Sequence, residues 1–273
     1  RCFHHETSSS SRTACSRRTF PLPAYGLKGI SLHWIVFHMA EVPRLPPLIL
    51  GARTFDGRCG TLRILTDLKA SEYGDVWQAG HTLASYLEEV PSWVKGKKVI
   101  ELGAGVGYVG LTCALLGASK VVLTDQQPLL PVLLANVQDN VHVVEHASVA
   151  ALDWGIPSER EAMARQNFQV VVASDVIYEE QNIDPFIRTL GAIWDSSSTV
   201  ALTVHCILAL KKRDLAAEVL EQFFARLEVA GFTANEVKPT GCSSNFRSLN
   251  PHDPNYWSMC LKYEISLHVI TRA

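Results

Sequence analysis

The chain has 273 residues, 47% of them hydrophobic, enough for one α/β domain with a sizeable buried core and extra amino-terminal material. A net charge of -2 excludes an overall electrostatic case for nucleic acid as the main partner. Seven widely spaced cysteines with no C-x-x-C pair argue against a disulfide framework or a zinc knuckle and for a reducing compartment, and no apolar run is long enough to cross a bilayer.

Residues 1–42 read as a disordered or transit-like tail. Within 1–38, Arg1, Arg12, Arg17, Arg18 and Lys28 face a single acid, Glu6, and a serine run spans Ser8–Ser11. Residues 43–97 read as a lead-in. Leu48–Phe55 and Thr61–Thr66 are strand-like and flank Asp56-Gly57, a hairpin signal; a helix follows over His81–Glu89, with Leu83, Tyr86 and Leu87 on one face.

Residues 98–273 alternate strand and helix and form the main domain. The strands fall at Lys98–Leu102, Val121–Thr124, either Val141–Val144 or Ser148–Leu152, Phe168–Ala173 and Thr199–His205. The helices fall at Val109–Leu116, Pro128–Asn140, Ile183–Trp194 and Leu215–Ala230; Gly117 stops the first, and Pro128 suits a first turn. Near-continuous Val/Ile/Leu strands spaced by helices imply a parallel sheet covered on both faces. Phe232–Val237 and Tyr256–Ile265 have no helix between them, so they should pair antiparallel.

The chemistry gathers around Val99–Gly110, a short apolar strand that ends in a loop with alternate glycines and then enters a helix. Gly105-x-Gly107-x-x-Gly110 matches the dinucleotide fingerprint, which alone is weak evidence; a tight turn without ligand has the same form. Glu101 sits two residues before Gly103, where a carboxylate can hold a cation or order water. Asp125 ends the next strand 20 residues on, where an acid can accept both ribose hydroxyls or, more plainly, cap the helix at Pro128. Trp154, after the third strand, either covers an adenine ring or is a core tryptophan, and Trp77 has the same ambiguity. Ser174-Asp175-Val176-Ile177-Tyr178 follows the fourth strand, at the carboxyl edge where open α/β sheets bind ligands; the plainer reading makes Asp175 a turn cap with Tyr178 packed under it. His142 and His146 read as surface residues, His205 as a packed strand end, and Lys211-Lys212-Arg213 as a solvated helix start.

The ordered series resembles the methyltransferase-like, non-SET protein-lysine methyltransferases of the seven-strand class. It runs Val76-Trp77 before a helix, Ile100-Glu101-Leu102-Gly103-Ala104-Gly105-x-Gly107, Leu123-Thr124-Asp125, Asn136-x-x-x-Asn140, Asp153-Trp154-Gly155 and Ser174-Asp175-Val176-Ile177-Tyr178. The resemblance covers about residues 45–265. It implies a Rossmann-like, mostly parallel seven-strand sheet with an antiparallel carboxyl-terminal pair, S-adenosyl-L-methionine as cofactor, and a lysine-bearing protein substrate. Cofactor contacts would be Trp77, Glu101, Gly103, Ala104, Gly105, Gly107, Asp125, Trp154 and Ser174, where the family often has alanine; Asp175 and Tyr178 would face the incoming amine. The family often has an arginine soon after strand five, whereas here His205-Cys206 leads to Lys211-Lys212-Arg213. A monomeric, cytoplasmic or nuclear enzyme with no nucleic-acid or membrane partner is expected, organelle targeting by residues 1–38 remaining open. Arginine and small-molecule methyltransferases share the cofactor half of this reading. A NAD-binding oxidoreductase and a non-catalytic binding module are the alternatives of other classes.

Overall fold

The computed structural model describes residues 50–57, 59–67, 75–142, 144–196, 205–211, 217–237 and 265–272. The expected tail, residues 199–204, Lys212 and Arg213, and residues 238–264 lie outside the described residues. All that is described belongs to one unit, Pro46–Ala273.

The lead-in is an antiparallel hairpin, β1 (Leu50–Gly57) and β2 (Gly60–Asp67), followed by helix α1 (Gln78–Glu89). The connection is not Asp56-Gly57. Gly57 pairs with Gly60, so Asp56 stays in the ladder opposite Thr61 and accepts that threonine's hydroxyl at 2.7 Å.

From Lys98 the chain builds a seven-stranded sheet. Its strands are β3 (Lys98–Leu102), β4 (Lys120–Asp125), β5 (Ala147–Ala151), β6 (Val170–Ser174), β7 (His205–Lys211), β8 (Phe232–Val237) and β9 (Ile265–Arg272). The order is β5-β4-β3-β6-β7-β9-β8, parallel except for β9, which runs antiparallel between β7 and β8. The interleaved helices are α2 (Tyr108–Leu115), α3 (Leu130–Asp139), α4 (Pro157–Ala164), α5 (Ile183–Asp195) and α6 (Ala217–Val229).

Side chains alternate across the sheet with period two. Val99, Val121, Leu123, Val170 and Val172 enter one core with α1, α2, α3 and the hairpin. Ile100, Leu102, Val122, Val171 and Ala173 enter the other with Phe186 and Leu190 of α5 and Phe223 of α6. Both faces are covered, as a parallel sheet of apolar strands requires.

Strand five is described over His205–Lys211: Val170 of β6 pairs with His205, and Cys206–Leu210 is buried between β6 and β9, so the strand runs on past His205, while the expected residues 199–204 lie outside the described residues. His205 therefore lies at the edge opposite the glycine loop. The closing strand is described over Ile265–Arg272, paired with β7 and β8; the expected residues 256–264 lie outside the described residues. The third strand takes the second of the two options. After α3, Val144 turns into the core with its N–H bonded to the Asn140 carbonyl, which ends any extended run there. Helix α4 is additional; Pro157 at its first turn and Glu159 near its start are the local signals for it.

Candidate functional site

The first parallel strand, β3, has β4 on one side and β6 on the other, so chain direction in sheet order reverses beside it. Ligands of open α/β sheets bind outside the carboxyl ends at such a switch point. Among the described residues, loops leave that edge after Leu102, Asp125, Ala151 and Ser174.

The loop after β3 is shaped by three left-handed glycines, Gly103 (φ 67), Gly105 (φ 55) and Gly107 (φ 83). At Gly103 a Cβ would also lie 2.7 Å from Val176 Cγ1 and 3.5 Å from Trp154 Cζ2, so only glycine fits between the β5 and β6 loops. Backbone bonds complete the turn: Ala104 N–H donates to the Thr124 carbonyl at 2.9 Å, and Gly107 N–H to the Ala104 carbonyl at 2.7 Å.

Asp125 stands at the centre. Its Oδ2 accepts the Gly105 N–H and its Oδ1 the Gln126 N–H, both at 2.7 Å. Burial pushes its pKa up, and the two N–H bonds oppose that shift. It does not cap the helix that follows, since neither the short turn at Gln127 nor α3 has a side-chain cap. Glu101 lies beneath the loop, 2% exposed, with Oε2 accepting the Gly110 N–H at 2.8 Å. Burial raises its pKa to about 8, against the Gly110 bond and helped by the nearby Asp125 charge. A Cβ on Gly110 would sit 2.5 Å from that same oxygen, so the carboxylate and the first turn of α2 meet only because this residue is glycine.

Trp154 is half-buried: its indole edge borders Gly103 and its ring meets Phe186 edge-on at 5.3 Å. It is thus both a core residue and a wall of the edge. Ser174 lies beside α1, its Oγ 3.5 Å from where a Gly80 Cβ would be. That contact brings the start of α1, and Trp77 just before it, to the end of β6. Asp175 adopts φ 55, one of two described non-glycine residues in the left-handed region, and its N–H donates to the Ala209 carbonyl at 2.9 Å. A left-handed aspartate at a strand end is a known form of strain at functional sites. Tyr178 is 40% exposed and Trp77 38%, so Tyr178 is not packed under the turn, and both aromatics are partly open to solvent.

The structure therefore brings Gly103, Ala104, Gly105, Gly107, Asp125 and Trp154 into one bonded or touching group. It sets Ser174 against α1 and leaves Trp77 and Tyr178 on the outside. Val176, Gly110 and Gly80 were not singled out as site residues by sequence reasoning. A glycine in the first turn of an apolar helix was the available signal for Gly80. His142 and His146 are exposed in the turn after α3. No group of three or more metal-ligating side chains occurs among the described residues.

A family profile described as "Lysine methyltransferase" matches residues 58–230. The chain is 33% identical over 156 residues to "Protein N-lysine methyltransferase METTL21A" of Danio rerio, covering 56% of this chain and 69% of that protein. It is 33% identical over 170 residues to "EEF1A lysine methyltransferase 3" of Xenopus tropicalis, covering 61% and 74%. Among solved structures, a Streptococcus mutans protein classed as a SAM-dependent methyltransferase superposes with a TM-score of 0.50 at 14% identity, covering 85% of this chain and 57% of that one. That likeness concerns the fold.

Proposed function

This chain belongs to the lysine methyltransferase family, and from that premise we propose how its sheet edge carries out the reaction. It is an S-adenosylmethionine-dependent protein-lysine N-methyltransferase. Family membership sets aside the dinucleotide reading that Gly105-x-Gly107-x-x-Gly110 leaves open.

The edge fits the cofactor. Each Asp125 oxygen accepts one backbone N–H and keeps a lone pair for a ribose hydroxyl. The left-handed loop 103–107 presents backbone without side chains, and Trp154 beside Gly103 offers a flat apolar wall. When bound, S-adenosylmethionine supplies a methyl group on a sulfonium. Asp125, Gly103, Ala104, Gly105 and Gly107 hold the donor, with Trp77, Trp154 and Ser174 at its sides. Glu101 acts from below by fixing the first turn of α2.

On the other side, Asp175 and Tyr178 receive the lysine. A lysine has a reference pKa of about 10.4, so its nucleophilic neutral form is scarce at neutral pH. A docked substrate covers the exposed Trp77 and Tyr178 rings, and the water it displaces favours loss of that proton; the Asp175 carboxylate orients the amine, and the Tyr178 ring faces the cationic product. The catalytic gain is chiefly positional, holding the amine in line with the transferred group.

The single observation that supports this reading most is the Asp125–Gly105 bond at 2.7 Å, which ties the ribose acid to the glycine loop. The test is Asp175→Ala: turnover is lost while affinity for S-adenosylhomocysteine, by titration calorimetry, stays within about threefold. Equal loss of both would reject the assigned role. Two relatives are named for EEF1A, which makes that factor the first substrate to assay, by mass spectrometry of a deuterated-methyl reaction. The buried free thiols of Cys113 and Cys206 support a cytoplasmic site of action.

A further inference from the structure

The Asn136-x-x-x-Asn140 pair has no role in the reaction outlined above, yet Asn136 is fully buried and Asn140 with it. Their side chains do what a neighbouring strand would do. Asn140 Oδ1 accepts the Arg63 N–H at 2.9 Å and its Nδ2 donates to the Arg63 carbonyl at 2.8 Å. Asn136 Oδ1 accepts the Leu65 N–H at 2.6 Å and its Nδ2 donates to the Leu65 carbonyl at 2.9 Å. Arg63 and Leu65 are alternate residues of β2, so the groups satisfied are those that point away from β1. Two amides one helical turn apart thus seal an edge that would otherwise be open.

Asn136 does one thing that Asn140 does not. Its second N–H donates to the Val106 carbonyl at 2.8 Å, in the glycine loop. Asn140 spends its remaining donor on the Asn136 carbonyl. A second tie lies on the far side of Gly107. Phe55 of β1 packs on Tyr108, the first residue of α2, at 4.6 Å, and both rings meet His81 at 5.2 Å. Burial holds His81 down to about 4, so near neutral pH it packs as an uncharged ring. The hairpin therefore grips the loop at Val106 and at Tyr108.

We propose that Asn136 is a positioning residue that couples the β1–β2 hairpin to the glycine loop, so that the hairpin holds the loop in its cofactor-binding shape. The proposal rests on the reading of loop 103–107 as the cofactor floor. Asn136 reaches the loop at the Val106 carbonyl, between Gly105 and Gly107, which bring no side chains of their own to hold the backbone there. A loop so rich in glycine loses much backbone freedom on ordering, and an outside tie offsets part of that cost.

The experiment compares Asn136→Ala with Asn140→Ala in the full chain. Both lose two hairpin bonds, so both should lower the melting temperature. Only Asn136→Ala should raise the S-adenosylmethionine KM and the S-adenosylhomocysteine Kd about tenfold, with kcat at saturation within about threefold; Asn140→Ala should keep both constants within about twofold. Equal effects of the two variants on cofactor affinity would overturn the proposal. A second measurement needs no variant: in the wild-type chain, S-adenosylhomocysteine should slow hydrogen exchange at Arg63 and Leu65 as well as across loop 103–110. Slowing in the loop with none in β2 would overturn the coupling while leaving the cofactor reading intact. No binding of S-adenosylhomocysteine at all would overturn that reading and this proposal together.

Discussion

The two halves of the sheet edge are built in opposite ways. On the donor side, around β3 and β4, the loop is pinned from several directions: Asp125 takes two N–H groups, Glu101 takes the start of α2, and Asn136 takes Val106. On the proposed acceptor side, after β6, the chain presents an aspartate in the left-handed region and an exposed tyrosine, with buried Val176 and Ile177 between them. A cofactor of fixed shape suits a site built before it arrives, whereas a lysine on a protein surface needs an open mouth. Damage on the donor side should therefore cost stability and cofactor affinity together, and damage on the acceptor side should cost neither.

The strongest test of that contrast is Gly103→Ala. A Cβ there meets Val176 at 2.7 Å in a left-handed backbone, and strain plus overpacking should cost about 3 kcal/mol. Thermal unfolding should show a drop of roughly 10 °C, with cofactor binding weakened as well. A melting temperature unchanged from the wild type would mean the two halves are not packed against each other at Trp154 and Val176.

Next in size is Asp125→Ala, which removes the proposed ribose acid and leaves the Gly105 and Gln126 N–H groups without their acceptor. Calorimetry should show S-adenosylhomocysteine bound about a hundredfold more weakly. Tyr178→Ala should do the reverse: KM for the protein substrate rises about tenfold, while the melting temperature stays within about 2 °C because the side chain is 40% exposed. Loss of cofactor affinity in that variant would erase the division between the halves.

The smallest effect is a pH slope. Burial holds Glu101 near 8 in the folded protein, against 4.5 for the free side chain, so the folded state keeps a proton that the unfolded chain has released. Stability from this group is fully present below about pH 4.5, declines as pH rises, and is gone above about 8. Glu101→Gln cannot make that ionisation. Melting curves of the free protein between pH 5 and 8 should fall more steeply for the wild type than for this variant. Parallel curves would show that the carboxylate is solvated and not sealed under the loop.

Much of the donor side could be read directly. A strand, alternate glycines and a helix occupy consecutive residues, and Asp125 follows at the spacing that one βαβ crossing imposes, so local pattern sufficed. Asp175 and Tyr178, the proposed acceptor residues, were picked out by their place after a strand, and β6 does end at Ser174. The run of strand five through Cys206–Leu210 was not legible, because only pairing with β6 shows that the strand continues past His205. The hairpin turn escaped for a similar reason: Asp-Gly is a strong turn pair, but the cross-strand partner of Gly57 is Gly60.

By itself the amino-acid order determined the alternation of strand and helix, the shape of the glycine loop and the acid at the end of β4, because each depends on residues within one or two turns of each other. Tertiary structure alone decided that Trp154 and Val176 close over Gly103, and that an asparagine on α3 completes a strand 71 residues earlier while holding the loop 30 residues away. Such contacts have no local signature. They exist only once sheet order and helix facing have brought distant segments within hydrogen-bond reach.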